Sequence, residues 1–113
     1  MRSASPHLPG QPKETKRVKA RRALLKSRYG ITYEEFCQMH FDQCEMCAVC
    51  GCHIGIIKSD GGPPTAHVDH DHETGKIRGL LCGNCNLGLG MFKDDKEILN
   101  DAIDYLLERE TLS

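Results

Sequence analysis

Apolar and polar positions change period several times along the chain, and each change marks an element. From Lys13 to Tyr29 the residues are rich in Lys, Arg, Ala and Leu, which predicts a helix. Val18, Arg21, Arg22 and Leu25 fall on one stripe, with arginine interrupting the apolar positions, so this helix reads as phosphate-facing rather than core-facing. Gly30 ends it as a C-terminal cap. Thr32-Tyr33-Glu34-Glu35 is a capping box for a second helix, Tyr33 to Gln43, which buries Phe36, Met39 or His40, and Cys37. The segment His53–Ala66, centred on Gly61-Gly62-Pro63-Pro64, is a loop by its turn chemistry. A hairpin follows: a strand over Thr65–Asp69, a turn through Glu73–Lys76, and a strand over Ile77–Leu81. A short helix starts near Asn86 and spans Leu87–Phe92. In the last helix Asp94 caps, Glu97 completes the box, and Ile98, Leu99, Ala102, Ile103, Leu106 and Leu107 recur at helical spacing to about Arg109. That apolar stripe is a core face or a homodimer face.

The 113 residues suffice for one small domain. Residues 1–12, with three prolines, are expected to be a disordered tail, residues 13–29 a basic helical arm, and residues 30–113 the main domain. Trp is absent and only three Phe and three Tyr are present, so the core is marginal and calls for a metal or disulfide staple. Seven cysteines cannot all pair, and no apolar run is long enough for a signal peptide or membrane helix. The expected compartment is the reducing cytoplasm, where CxxC pairs mean metal. Eight basic residues between Lys13 and Arg28 face a single acid, whereas Asp94–Glu110 holds seven acids. The basic arm suits a polyanion, and Arg17, Arg21 and Arg22 are its candidate nucleic-acid contacts.

Cys47-Ala48-Val49-Cys50-Gly51 and Cys82-Gly83-Asn84-Cys85 are two CxxC knuckles. A two-residue gap lets both sulfurs of a knuckle face one ion, and four thiolates make a closed structural Zn²⁺ site. Such a site contributes on the order of 10 kcal/mol to folding. Cys44 also stands at CxxC spacing from Cys47, but the glycine after Cys50 favours the 47/50 pair; Cys37, Cys44 and Cys52 are then free thiols.

Between the knuckles lies His67-Val68-Asp69-His70-Asp71-His72. Mg²⁺ takes one or two hard oxygen ligands from a protein and keeps several waters. The Asp69 carboxylate and the Asn86 amide fit that demand, with Asn86 drawn in by the ligand beside it, Cys85. His70 suits the removal of a proton from attacking water. A regular strand would send residues 69 and 70 to opposite faces, so the backbone must depart from strand geometry there.

These residues, with Tyr29-Gly30-Ile31-Thr32, Gly75-Lys76-Ile77-Arg78-Gly79-Leu80-Leu81-Cys82 and Cys85-Asn86-Leu87, resemble the phage endonuclease VII family over about residues 29–107. The family comprises Holliday-junction-resolving members of the HNH (ββα-metal) nucleases. The resemblance implies a small α+β, zinc-stapled ββα-metal core with flanking helices. By position, Asp69 and Asn86 look like the Mg²⁺ or Mn²⁺ ligands and His70 like the general base. His67 and His72 look like accessory residues on phosphate or leaving group, and Cys47, Cys50, Cys82 and Cys85 like the zinc ligands. Arg78 is a candidate phosphate clamp or a shield for the zinc site. The implied activity is endonucleolytic cleavage of double-stranded or branched DNA, in the host cytoplasm if the chain is phage-encoded. Junction resolution would need a homodimer. A competing class is a non-catalytic zinc module that grips nucleic acid or protein, which has no use for Asp69, His70 and Asn86 in register.

Overall fold

Phe36 is the largest fully buried side chain, and the elements are arranged around it and three other residues with no exposed surface, Leu25, Ile54 and Leu80. The computed structural model describes residues 14–112; the tail expected to be disordered, and Lys13, lie outside them. It is a small α+β arrangement of four helices and a two-stranded antiparallel sheet. The elements are α1 (Lys16–Tyr29), α2 (Tyr33–Asp42), β1 (His67–His70), β2 (Ile77–Leu81), α3 (Gly83–Met91) and α4 (Lys96–Leu112). Among the described residues no helix is long and apolar enough to cross a membrane.

The first helix begins three residues later than its composition predicts. Thr15 is extended, and its hydroxyl accepts from the Val18 amide at 3.2 Å, which sets the start. Gly30, at φ 71°, closes the other end through its amide on the Lys26 carbonyl. The stripe expected to face phosphate faces the core instead. Leu25 is fully buried, and the Arg21 guanidinium lies 4.7 Å over the Phe36 ring. A long arginine stem covers apolar surface as well as an aliphatic side chain does, so arginines on the stripe do not turn it outward. The second helix follows its box closely, with the Thr32 hydroxyl accepting from the Glu35 amide at 3.0 Å and the Glu35 carboxylate from the Thr32 amide at 2.8 Å.

The loop after the first knuckle is tied down at both ends. The ring Nε2 of His40 is 2.6 Å from the Ile54 carbonyl, and Gly55 exchanges backbone bonds with Pro64 and Ala66 at 2.8 Å. Thr65 is therefore held by Gly55, and β1 starts at His67 rather than Thr65.

Within the hairpin, His67 pairs with Leu81, Val68 with Leu80 and Asp69 with Gly79, but His70 pairs with Ile77. Arg78 is thus one extra residue on β2, and the sheet bulges there. α3 starts at Gly83, earlier than the expected Asn86, because the second knuckle is itself the first turn: the Cys82 sulfur caps it by accepting from the Cys85 amide at 3.4 Å. For α4 the cap is Asp95, not Asp94. The Asp95 carboxylate accepts from the amides of Glu97 and Ile98, while Lys93 and Asp94 sit in left-handed conformations at φ 59° and 56°. The apolar stripe of α4 is not core: Ile103, Leu106 and Leu107 are each more than half exposed.

The two reciprocal bonds at Thr32 are local and independent of the metal. Thr32→Ala should therefore cost about 1 kcal/mol, read from denaturant unfolding of the zinc-loaded protein, with zinc content unchanged.

Candidate metal centre and active site

The four knuckle cysteines converge. The sulfurs of Cys47, Cys50, Cys82 and Cys85 all lie within 4.8 Å of one another, and Cys50 and Cys82 are 3.8 Å apart. A tetrahedral zinc ion with bonds of about 2.3 Å separates its sulfurs by about 3.8 Å, so the four fit a structural ion such as zinc. Exposed Cys44 is outside the cluster, which removes the alternative 44/47 pairing.

Backbone amides prepare the thiolates. Burial pushes the Cys47 thiol up, but amides of Cys82, Cys50 and Val49 directed at its sulfur outweigh this and bring it down to about 6. The Cys85 amide lowers Cys82 likewise, whereas burial and the crowding of neighbouring sulfurs push Cys85 up to about 12. The lowered Cys47 and Cys82 thiols favour the thiolate form that binds metal. Cys52 stands beside this cluster, its thiol pushed up to about 12 by its contact with Cys50, so it stays protonated.

The first knuckle is bolted to the hairpin by Ala48 donating to the Leu80 carbonyl at 3.1 Å. Gln43, which no sequence pattern singles out, does more. Its side-chain amide donates to the carbonyls of Leu80 and Met46, and its oxygen accepts from the Leu80 amide at 2.9 Å. A side chain at Gly79 would press on that oxygen at 3.2 Å, which accounts for glycine there.

On the hairpin, the bulge decides the electrostatics. Arg78 donates through Nε and Nη2 to both oxygens of Asp69, at 2.8 and 3.0 Å, and through Nη2 to Asp94 at 2.9 Å. The two carboxylates, Asp69 first, raise the Arg78 guanidinium still further above its ordinary value. His72 lies 3.9 Å from Asp94, the rings of His72 and His70 are 5.2 Å apart, and the Tyr29 ring packs 5.8 Å from His70. Asp69, Arg78, Asp94, His72, His70 and Tyr29 thus form one continuous row. Two of its members are not site candidates by sequence: Asp94 carries only a capping signal there, and Tyr29 only a place at the end of a helix and in the motif of the family resemblance, with no role.

Asn86 is half-buried in the first turn of α3, beside Cys85 of the sulfur cluster, its backbone N–H donating to the Cys82 carbonyl at 3.0 Å. His67 stands apart from the other histidines. Its Nε2 is 3.3 Å from the place a side chain on Gly83 would occupy, and it lines a cavity with Cys50, Cys52, Cys82 and Cys85. Asp71 organises the turn, accepting from the amides of Glu73 and Thr74; the Thr74 amide foremost holds its carboxyl below the usual range.

The basic arm divides in two. Arg17 donates to the Lys58 carbonyl, Arg21 to the Ala66 carbonyl, and Arg22 grips Glu14 and Glu34. These three, expected to meet nucleic acid, bind the protein itself. Lys16, Lys19 and Lys26 lie on the opposite, exposed side of α1.

A bulged hairpin with a following helix, clasped by two cysteine knuckles whose four sulfurs could hold one ion, defines a class of small α+β proteins. Residues 22–108 match the family described as recombination endonuclease VII, and the chain belongs to that family. It is 41% identical over 84 residues to the Gene 59 protein of Mycobacterium phage L5, and 43% over 83 residues to that of Mycobacterium phage D29. Those alignments take in 74% and 73% of this chain but only 48% and 47% of the relatives, so the chain spans about half their length. No solved structure matches.

The depressed Cys47 thiol sets a direction for pH. Its folded value near 6 lies below the ordinary thiol value of 9.0, so its contribution is present in full above that ordinary value and is lost as pH falls through 6. Because protons compete with zinc for these sulfurs, zinc release and loss of thermal stability should set in together on acidification, followed with a chromogenic zinc indicator; zinc retained through the loss of stability contradicts this.

Proposed function

We propose that this chain is a metal-dependent endonuclease of the HNH (ββα-metal) type that hydrolyses phosphodiester bonds in double-stranded or branched DNA. The observation that carries this reading is the bulge between Asp69 and His70. With Arg78 as the surplus residue of β2, Asp69 is bonded to that guanidinium while His70 packs between Tyr29 and His72, on a strand that contacts the helix bearing Asn86. Membership of the recombination endonuclease VII family supports the same reading.

In this reading the His70 imidazole, braced between Tyr29 and His72, takes the proton from the attacking water. Asp69 and Asn86 offer the hard oxygens that would hold Mg²⁺ or Mn²⁺. That ion, when bound, stabilises negative charge on the phosphate and the leaving oxygen. Arg78 orients the phosphate, and His72 contacts phosphate or leaving group from the hairpin turn. His67 serves the strand from the knuckle side. The half-exposed stripe of α4 is the surface a second copy would cover, as paired cuts at a junction require.

The direct test is plasmid nicking with and without Mg²⁺. His70→Ala should lower nicking by a thousandfold or more, within the range for a lost general base and its neighbours, while zinc content and melting temperature stay near wild type. Absence of Mg²⁺-dependent nicking by the wild type would leave a non-catalytic zinc module. Deleting the arm would remove Leu25 from the core, so DNA binding is tested at the lysines instead. Lys16→Ala, Lys19→Ala and Lys26→Ala together should reduce the slope of log affinity against log salt by up to about 0.9 for each phosphate no longer neutralised, with the fold intact. An unchanged slope assigns DNA binding elsewhere.

A further inference from the structure

Between the hairpin turn and the start of α4 lies a cavity of about 570 Å³ lined by Asp71, His72, Arg78, Lys93 and Asp94. Two of these lining residues, Arg78 and Asp94, are bonded to each other, and the same guanidinium also holds Asp69; the Asp69 and Asp94 side chains are only 13% and 21% exposed. Asp94 is brought there by an unusual backbone. Lys93 and Asp94 are consecutive non-glycine residues in the left-handed region, and the Asp94 amide is bonded to the Leu89 carbonyl at 2.8 Å. The capping of α4 does not explain this placement, because Asp95 does that work.

Resting on the reading of Asp69 as a cation ligand, we propose that Asp94 is a positioning residue for Arg78, the alternative partner that keeps this guanidinium at the site while Asp69 is given over to a divalent cation. As the structure stands, Arg78 engages both oxygens of Asp69, the same atoms a cation would need. A guanidinium with no other partner competes for that carboxylate. With Asp94 bonded to Nη2, Arg78 can leave Asp69 without losing its only counter-charge, and it remains within the cavity where a DNA phosphate would lie. Asp94 acts through Arg78 and touches neither cation nor substrate.

A double-mutant cycle on the zinc-loaded full chain tests this, with Mn²⁺ affinity read by electron paramagnetic resonance rather than by cleavage. Asp94→Asn should weaken Mn²⁺ binding about fivefold or more, as for groups sharing one hydrogen-bond network. Arg78→Ala should bind Mn²⁺ at least as tightly as wild type, and Arg78→Ala with Asp94→Asn should match Arg78→Ala alone. Asp94→Glu should restore affinity to within about twofold of wild type. If Asp94→Asn has no effect, or weakens binding equally with and without Arg78, the carboxylate acts only through its charge or not at all, and the proposal fails. Asp69→Asn separates the two readings. Mn²⁺ binding that survives it overturns Asp69 as the cation ligand, and this inference with it. Asp69-dependent binding without the Arg78 coupling overturns this inference alone. Intact coupling in a protein that cuts no DNA supports the inference and overturns the nuclease reading.

Discussion

Four sulfurs within 4.8 Å of one another set the conditions for everything else in this chain. The apolar core is small; among the described residues only Phe36 is both aromatic and fully buried. A metal joining the knuckles would add a free energy comparable to the whole net stability of a small domain. It would also set geometry. The first knuckle follows α2 and is bonded to β2 through Ala48, while the second joins β2 directly to α3. Fixing the two together fixes the hairpin between the helix that leads into it and the helix that leaves it, and Asn86 is positioned one residue beyond the last sulfur. Gln43 completes the clamp without metal, occupying both the amide and the carbonyl of Leu80.

Given that frame, one surplus residue on β2 produces the chemistry of the hairpin. In a regular ladder Arg78 would stand opposite His70. The bulge instead gives it to Asp69, and leaves His70 to pack between Tyr29 and His72. A carboxylate and an imidazole that are neighbours in sequence thereby acquire different partners: the first a cation, the second two rings. Bulges beside functional groups re-aim side chains in this way, at the expense of one ladder bond.

The features legible in the sequence are those that local chemistry determines. The capping box at Thr32, the glycine stop at Gly30, the hairpin and both knuckles depend on residues within a few positions of each other, and all are present. The features that pattern misplaces depend on distant partners. Asp94 and Asp95 are equivalent caps on paper; Arg78, sixteen residues away, engages Asp94 and leaves Asp95 to cap. The strand starts later than Thr65 because Gly55 holds that segment, and α3 begins early because a cysteine sulfur can serve as a helix cap. The stripe on α4 has helical spacing whether or not anything covers it, so periodicity alone does not distinguish core from surface.

The basic arm shows why charge counting and site assignment differ. Arginine offers several donors in a fixed planar fork and a weakly hydrated cation, which suits it to bond carbonyls, grip two carboxylates or lie on a ring while half-buried. Arg21 does the first and last of these at once, and Arg22 the second. Lysine is a strongly hydrated point charge on a flexible stem, poorly suited to such positions. When the helix docks, Arg21 and Arg22 are partly buried, whereas Lys16, Lys19 and Lys26 stay exposed, together with Arg17 and Arg28. The exposed cationic surface of α1 is therefore its lysines with Arg17 and Arg28, while Arg21 and Arg22 are already part of the wall behind them.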